Sequence, residues 1–148
     1  MRWLAWLALA LTVVACGERG DQKAAPSPAD TVAEAAAAFD LAIYDTVKWD
    51  DQAAELTRGE EVYKWACATC HGPQGRGDAE YVLEGDTLRP PSFQNPDWRF
   101  RDDQAGLRRY IFVGNAKGMP HWGLRRLRPR DIVALGDYIQ NRLIRKGD

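Results

Sequence analysis

The chain is expected to fold as a small all-α domain, and three features of the sequence carry that expectation. Apolar residues recur at helical spacing around position 107 and again between 132 and 143. No stretch alternates apolar and polar residues over a useful strand length, and no segment repeats. At 148 residues the chain has room for one core with flanking segments, and not for two.

The elements follow in chain order. Residues 1–15 open on Met1-Arg2 and continue as a nearly unbroken apolar run. The run is short of the roughly 20 residues that cross a hydrocarbon core, so it reads as a signal peptide. Val13-Val14-Ala15-Cys16 resembles the lipobox of bacterial lipoproteins. That resemblance implies lipidation of Cys16 and an exported, periplasmic, membrane-anchored protein; a free thiol in an ordinary signal peptide is the alternative.

Residues 16–38 are rich in Ala, Asp and Glu, contain Pro26 and Pro28, and have little to build a core from. They read as a mostly irregular acidic tether, with a short helix over 33–38. Residues 16–56 carry nine acids against three bases, net -6, whereas residues 57–148 carry twelve against sixteen, net +4. An acidic leader thus precedes a mildly basic domain, and the overall charge of -1 gives no sign of a nucleic-acid partner. Within residues 39–56, Phe39, Leu41, Ile43, Tyr44, Val47 and Trp49 are too apolar for a solvated linker. This stretch is a strap packed on the domain or a docking segment for a partner protein.

The domain proper is expected over residues 57–148. Thr57 is a candidate cap for a first helix running toward Cys67, with Glu60 reaching back to it. The density of Gly and Pro over residues 72–101 predicts loops and turns. Asp102 or Asp103 caps a second helix that places Leu107, Tyr110 and Ile111 on one face and ends at Gly114. Pro129 opens the last helix, whose stripe is Ile132, Leu135, Tyr138, Ile139 and Leu143, with Arg142, Arg145 and Lys146 suited to its C-terminal dipole.

The chemistry lies in Cys67-Ala68-Thr69-Cys70-His71, a C-x-x-C-H motif of the kind that attaches c-type haem. Positions i, i+3 and i+4 at a helix end share one side, so two thiols and an imidazole can address one flat ligand. The thiols would bond two vinyl groups, and His71 would give the iron its proximal nitrogen. Zinc would need a fourth ligand, with His121 the only other histidine; an iron-sulfur cluster needs more thiolates, and a thioredoxin-like dithiol needs a strand-helix-strand setting. Once the leader is removed, Met119 is the only methionine, in Gly118-Met119-Pro120-His121-Trp122, and it is the first choice for the sixth ligand. His121 is the rival. Ligation by His71 and Met119 would raise the reduction potential into a range suited to electron transfer.

From residue 57 to the end the chain resembles a class I c-type cytochrome. Gly59 and Tyr63 lead into the attachment motif, Gly72, Gly75 and Gly77 follow it, and a Pro-containing loop, a Met-Pro turn and a terminal helix come in the family's order. The resemblance implies a cytochrome c-like helical domain wrapped around one covalently attached haem c. It also implies a close crossing of the first and last helices at Gly59, where Tyr138 packs, and a carbonyl near Pro90 or Pro91 orienting His71. The chain departs from the family pattern at His121 and at Arg128, where a Ser, Thr or Asp cap is usual.

The function implied is a non-enzymatic single-electron carrier that exchanges electrons with membrane-associated or periplasmic redox proteins. A haem-based ligand-binding sensor and a fixed electron-transfer subunit of a larger oxidoreductase remain alternatives. No spare histidine-acid constellation supports a peroxidase. Trp65, Trp98 and Trp122 are expected to line the haem cavity as apolar surface. Lys117, Arg125, Arg126, Arg128 and Arg130 cluster around Met119, either as solvated charge or as a surface for an acidic docking face.

Overall fold

The computed structural model describes residues 27–144, so the expected signal peptide, Cys16, the first part of the tether, Arg145 and Lys146 lie outside the described residues. Helix α1 (Pro28–Ala38) begins where Ser27 accepts a hydrogen bond from the Asp30 amide while the Asp30 carboxylate accepts from the Ser27 amide, a reciprocal cap with Pro28 at the first turn. The second half of the tether is therefore helical from residue 28, earlier than the 33–38 expected. The cap and the alanine-rich run act together, and Ala35 is fully buried.

The apolar stretch after α1 is a strap. Phe39 stacks on Tyr44 at 5.4 Å and meets Phe112 edge-on at 5.5 Å. Short helix α2 (Ala42–Asp45) buries Tyr44 against the core, and Val47 and Trp49 pack beside it. The Arg130 guanidinium lies 3.9 Å from the Trp49 ring centroid.

Helix α3 (Gln52–Ala66) starts five residues before the expected Thr57. Asp51 is the cap, accepting from the Ala54 amide at 2.7 Å. Thr57 lies inside the helix with its hydroxyl bonded back to the Ala53 carbonyl, and Glu60 pairs forward with Lys64 instead of closing a capping box. The run Gln52 to Leu56 is fully compatible with a helix, so the first available cap prevails.

Beyond the single turn α4 (Ala68–His71) the chain loops to residue 103. The loop contains a minimal hairpin, β1 (Val82–Leu83) against β2 (Asp86–Thr87), turned by Glu84 and Gly85 at positive φ. Two residues per strand are too few for any periodic signal. Helix α5 (Gln104–Val113) is capped by Asp103, which accepts from the Gly106 amide, and ends at Gly114, as expected. After the single turn α6 (Trp122–Arg125) comes α7 (Pro129–Tyr138), continued by a π-helical segment (Ile139–Ile144). The predicted stripe is buried at Ile132, Leu135, Ile139 and Leu143. Arg128 has no capping side chain, but Asp131 reaches back to its amide at 3.1 Å, supplying the missing half of a cap.

The core forms where α3 crosses α7. A Cβ at Gly59 would collide with the Ala134 carbonyl and the Tyr138 Cβ, so only glycine allows this approach. One residue earlier, Arg58 donates to the nearly fully buried Asp131 at 2.9 Å and ties the two helices together. Burial pushes the Asp131 carboxyl up, but bonds from Arg128 and Arg58 outweigh it and hold the group below the usual carboxylate range.

On the other face of the crossing, Glu55 lies against Asp137, which also receives Gln104 and has Arg108 at 3.9 Å. Burial first, and then the hydrogen bond and charge of Asp137, push the Glu55 carboxyl up to about 7 from an ordinary 4.5, with Arg108 opposing. Between those values the folded chain holds a proton that the unfolded chain has lost, so this site makes stability fall as pH rises. Urea midpoints should therefore be lower at about pH 8 than at about pH 4 through this site, and Glu55→Gln should raise the pH 8 midpoint while leaving the pH 4 value nearly unchanged. A variant with an unchanged pH 8 midpoint would contradict the assignment.

Candidate functional site

The end of α3 passes directly into the turn that carries the motif. Cys67 donates its amide to the Tyr63 carbonyl, and its own carbonyl accepts from the amides of Cys70 and His71 at 3.1 and 2.9 Å. One helical turn thereby sets both thiols and the imidazole on the same side. The Tyr63 hydroxyl bonds the Gly72 carbonyl at 2.5 Å and fixes the exit of this turn to α3.

Cys67, Cys70 and His71 line a cavity of about 600 Å³, and so does Met119, which arrives from the loop between α5 and α6. The rest of the lining is mainly apolar and aromatic, and a row of rings runs around it. His71 is 4.7 Å from Phe93, Phe93 is 4.9 Å from Trp98, Trp98 is 5.6 Å from Phe100, and Phe100 is 5.1 Å from Tyr110. The Arg99 guanidinium lies over the last two rings, 4.2 Å from the Phe100 centroid.

The electrostatics follow from burial. Desolvation pushes the Cys67 thiol up to about 12, raises the Cys70 thiol, and lowers His71 to about 4, so all three are neutral near pH 7. Neutral imidazole is the form that ligates a metal. Its Nδ1 is buried with no hydrogen-bond partner. The expected proline carbonyl does not reach it: the Pro90 carbonyl packs instead against Gly77, whose φ of 73° and missing side chain make room.

Asn115, which sequence reasoning passed over, shapes the methionine loop. Its side-chain oxygen accepts from the Lys117 amide at 2.7 Å and the Met119 amide at 3.3 Å, its side-chain nitrogen donates to the Tyr110 hydroxyl at 2.7 Å, and its backbone amide donates to the Met119 carbonyl at 3.0 Å. The signal available in the sequence was an Asn directly after the helix-ending Gly114, a place where an Asx turn is favoured. His121 points elsewhere: its Nδ1 lies 2.5 Å from the Val113 carbonyl, and it is not among the cavity-lining residues.

Of the three tryptophans expected at the cavity, Trp98 and Trp122 line it and Trp65 does not. Trp65 is 46% exposed and touches Trp122 edge-on. In the basic cluster, Arg128 is bonded to Asp131 and Arg130 covers Trp49, while Lys117 lines the cavity.

These residues fit a haem. An apolar cavity of this size walled by aromatic rings suits a flat macrocycle, and paired thiols and a neutral imidazole line it. Among the described residues no group of three or more His, Cys, Asp or Glu is gathered to hold a bare metal ion.

Comparison with known proteins points the same way. Residues 54–139 match the family described as cytochrome C oxidase, cbb3-type, subunit III. The chain is 32% identical over 94 residues to the Cbb3-type cytochrome c oxidase subunit CcoP of Azospirillum brasilense, covering 64% of this chain and 30% of that protein. It is 30% identical over 87 residues to subunit FixP of Bradyrhizobium diazoefficiens, covering 59% and 27%, and 34% identical over 82 residues to subunit FixP of Azorhizobium caulinodans, covering 55% and 25%. The chain thus spans less than a third of the length of these relatives. No solved structure matches it.

Removing the Asn115 side chain should loosen the loop that carries Met119. Asn115→Ala is expected to cost about 1–2 kcal/mol in denaturant unfolding, since it removes the part-buried bonds to the Met119 amide and the Tyr110 hydroxyl; an unchanged midpoint would show that the loop is held elsewhere.

Proposed function

The chain belongs to the cytochrome C oxidase, cbb3-type, subunit III family, a family of c-type cytochrome domains, and on that premise we propose that four of its side chains hold one haem c. The domain is an electron-transfer protein whose cofactor is haem c, and it is not itself a catalyst. When bound, that group supplies an iron that accepts and releases one electron.

The observation that supports the four-residue reading is convergence. Met119, far along the chain from the attachment motif, lines the same cavity as Cys67, Cys70 and His71. Cys67 and Cys70 would hold the macrocycle by thioether bonds, and His71 and Met119 would supply the iron's nitrogen and sulfur ligands. The aromatic row would shield the bound group from water, and the Asn115 turn holds the loop that carries Met119. His121, engaged at the Val113 carbonyl, supports Met119 by default. The partners are redox proteins, and the unbroken run of cations among the charged residues of 116–130 favours an acidic face on at least one of them.

The relatives' description as oxidase subunits favours a second reading of the setting, in which the domain works as a fixed subunit of a larger oxidoreductase. Co-purification with other subunits in mild detergent would mark the fixed subunit, and recovery alone would mark the free carrier.

The setting itself is read from the leader. An apolar run ending in a lipobox-like Cys16 supports export to the periplasmic side and lipid anchoring there. Among the described residues no helix is long and apolar enough to cross a membrane. Cys16→Ser is expected to move the protein from the membrane fraction to the soluble one; retention in the membrane would rule out a lipid on Cys16 as the anchor.

The ligand set is tested on the holoprotein by absorption. The oxidised protein should show the weak far-red band of ferric iron bonded to a thioether sulfur, and Met119→Ala should abolish it and lower the reduction potential, while His121→Ala leaves both unchanged. Persistence of the band in Met119→Ala would remove Met119 from the site.

A further inference from the structure

From Tyr81 to Leu88, the stretch that forms the β1–β2 hairpin, every residue is exposed except Leu83 and Leu88, which are half-buried. Both leucines meet the backbone at one place. A Cβ at Gly118 would come 3.1 Å from a methyl carbon of Leu83 and 3.1 Å from one of Leu88. Gly118 has a φ of 111° and directly precedes Met119. Its missing side chain lets the methionine loop lie in the fork of the two leucines. Leu88 also lines the cavity, together with Lys117, Gly118 and Met119, whereas Leu83 does not.

Little else fixes the hairpin. It is closed internally by the pairing of Val82 with Thr87 and Leu83 with Asp86, and by the Leu88 amide donating to the Tyr81 carbonyl at 2.8 Å. Among the described residues no hydrogen bond or ion pair joins residues 80–88 to another segment. Two strands of two residues are too short to be stable alone. At the entry, Glu80 with a φ of 50° places a non-glycine residue in the left-handed region. The place of the hairpin thus rests on two leucines against one glycine. A segment held by so few apolar contacts opens at a small fraction of the free energy that unfolds the domain.

We propose that the hairpin is a latch on the methionine loop: Leu83 and Leu88 close on Gly118 and hold Met119 at the cavity, and when they part the iron's sixth position opens to a small neutral ligand. This rests on the reading of Met119 as a ligand and adds what keeps it in place. Leu83 and Leu88 are positioning residues that act through Gly118. Asn115 ties the methionine loop to itself and to Tyr110, and the latch ties it to the loop of residues 72–103.

The test uses the ferric holoprotein with imidazole as the probe, followed by loss of the far-red band. The exchange breaks one iron–sulfur bond and forms one iron–nitrogen bond, with no change of oxidation state. Leu83→Ala removes the contact on Gly118 without altering the cavity lining, and it should speed imidazole binding about tenfold. Leu83→Met should restore most of the wild-type rate, and Val82→Ala, on the exposed side of the same strand, should leave it unchanged. Independently of any added ligand, hydrogen exchange at the Met119 amide should be about tenfold faster in Leu83→Ala, with the Ile111 amide of α5 unchanged. Equal acceleration at Ile111 would assign the effect to the whole domain and overturn the latch. With the far-red band present in the wild type, a Leu83→Ala protein within about twofold of it in both measurements overturns the latch and leaves Met119 standing as the ligand. A wild type without the band overturns the ligand reading and the latch together.

Discussion

With no side chain at Gly59, α3 settles onto the Ala134 carbonyl and the Tyr138 Cβ of α7, and that contact determines where the ends of both helices lie. Cys67 caps the C-terminal end of α3, so the height of the attachment turn is fixed by the crossing. Leu135 of α7 and Ile139 just beyond it line the cavity. The Arg58–Asp131 bridge clamps the same crossing one residue away, and the Tyr63 hydroxyl carries its rigidity into Gly72. Any side chain at position 59 would wedge the helices apart and misalign the motif with its own cavity. The loop of residues 72–103, which has little regular structure, is tied to that turn by the Gly77 amide on the His71 carbonyl and folded on itself by the Phe93 amide on the Gly75 carbonyl.

What the sequence made legible were the features with a fixed spacing. The attachment motif, the stripes of α5 and α7, the Asp103 cap and the Met-Pro turn all stand where local pattern put them, because each is governed by neighbours within one or two helical turns. What it hid were choices among equals and contacts across the fold. Asp51 and Thr57 are both good caps, and only the compatibility of the intervening run decides between them. Trp65, two residues before the motif, looks like cavity wall; its exposure depends on where Trp122 arrives, and that is set by a turn almost sixty residues later. Asn115 escaped notice because its importance lies in three hydrogen bonds around a loop, not in any periodicity.

The match to the family begins at residue 54, yet the core begins earlier. Ala35 is fully buried and Tyr44 is 3% exposed, and both precede the matched segment. The strap, outside the matched segment, is thus part of the same core, sealed by Phe39 on Phe112 and by Arg130 over Trp49. At the other end, the π-helical turn carries Leu143 and Ile144 into the core past the matched region. The strap packs on α5 and α7 and the π-helical segment continues α7, and Leu107, Tyr110, Ile111 and Leu135 of those helices line the cavity.

The rim of that cavity is not electrically neutral. Arg89, Arg99 and Lys117 line it against the single carboxylate of Asp97, and burial keeps His71 uncharged. All three cations are exposed, so water and salt screen them: they make the mouth of the cavity cationic while the apolar wall behind it stays uncharged, and an anion is drawn to the rim without a charge being buried in the depth.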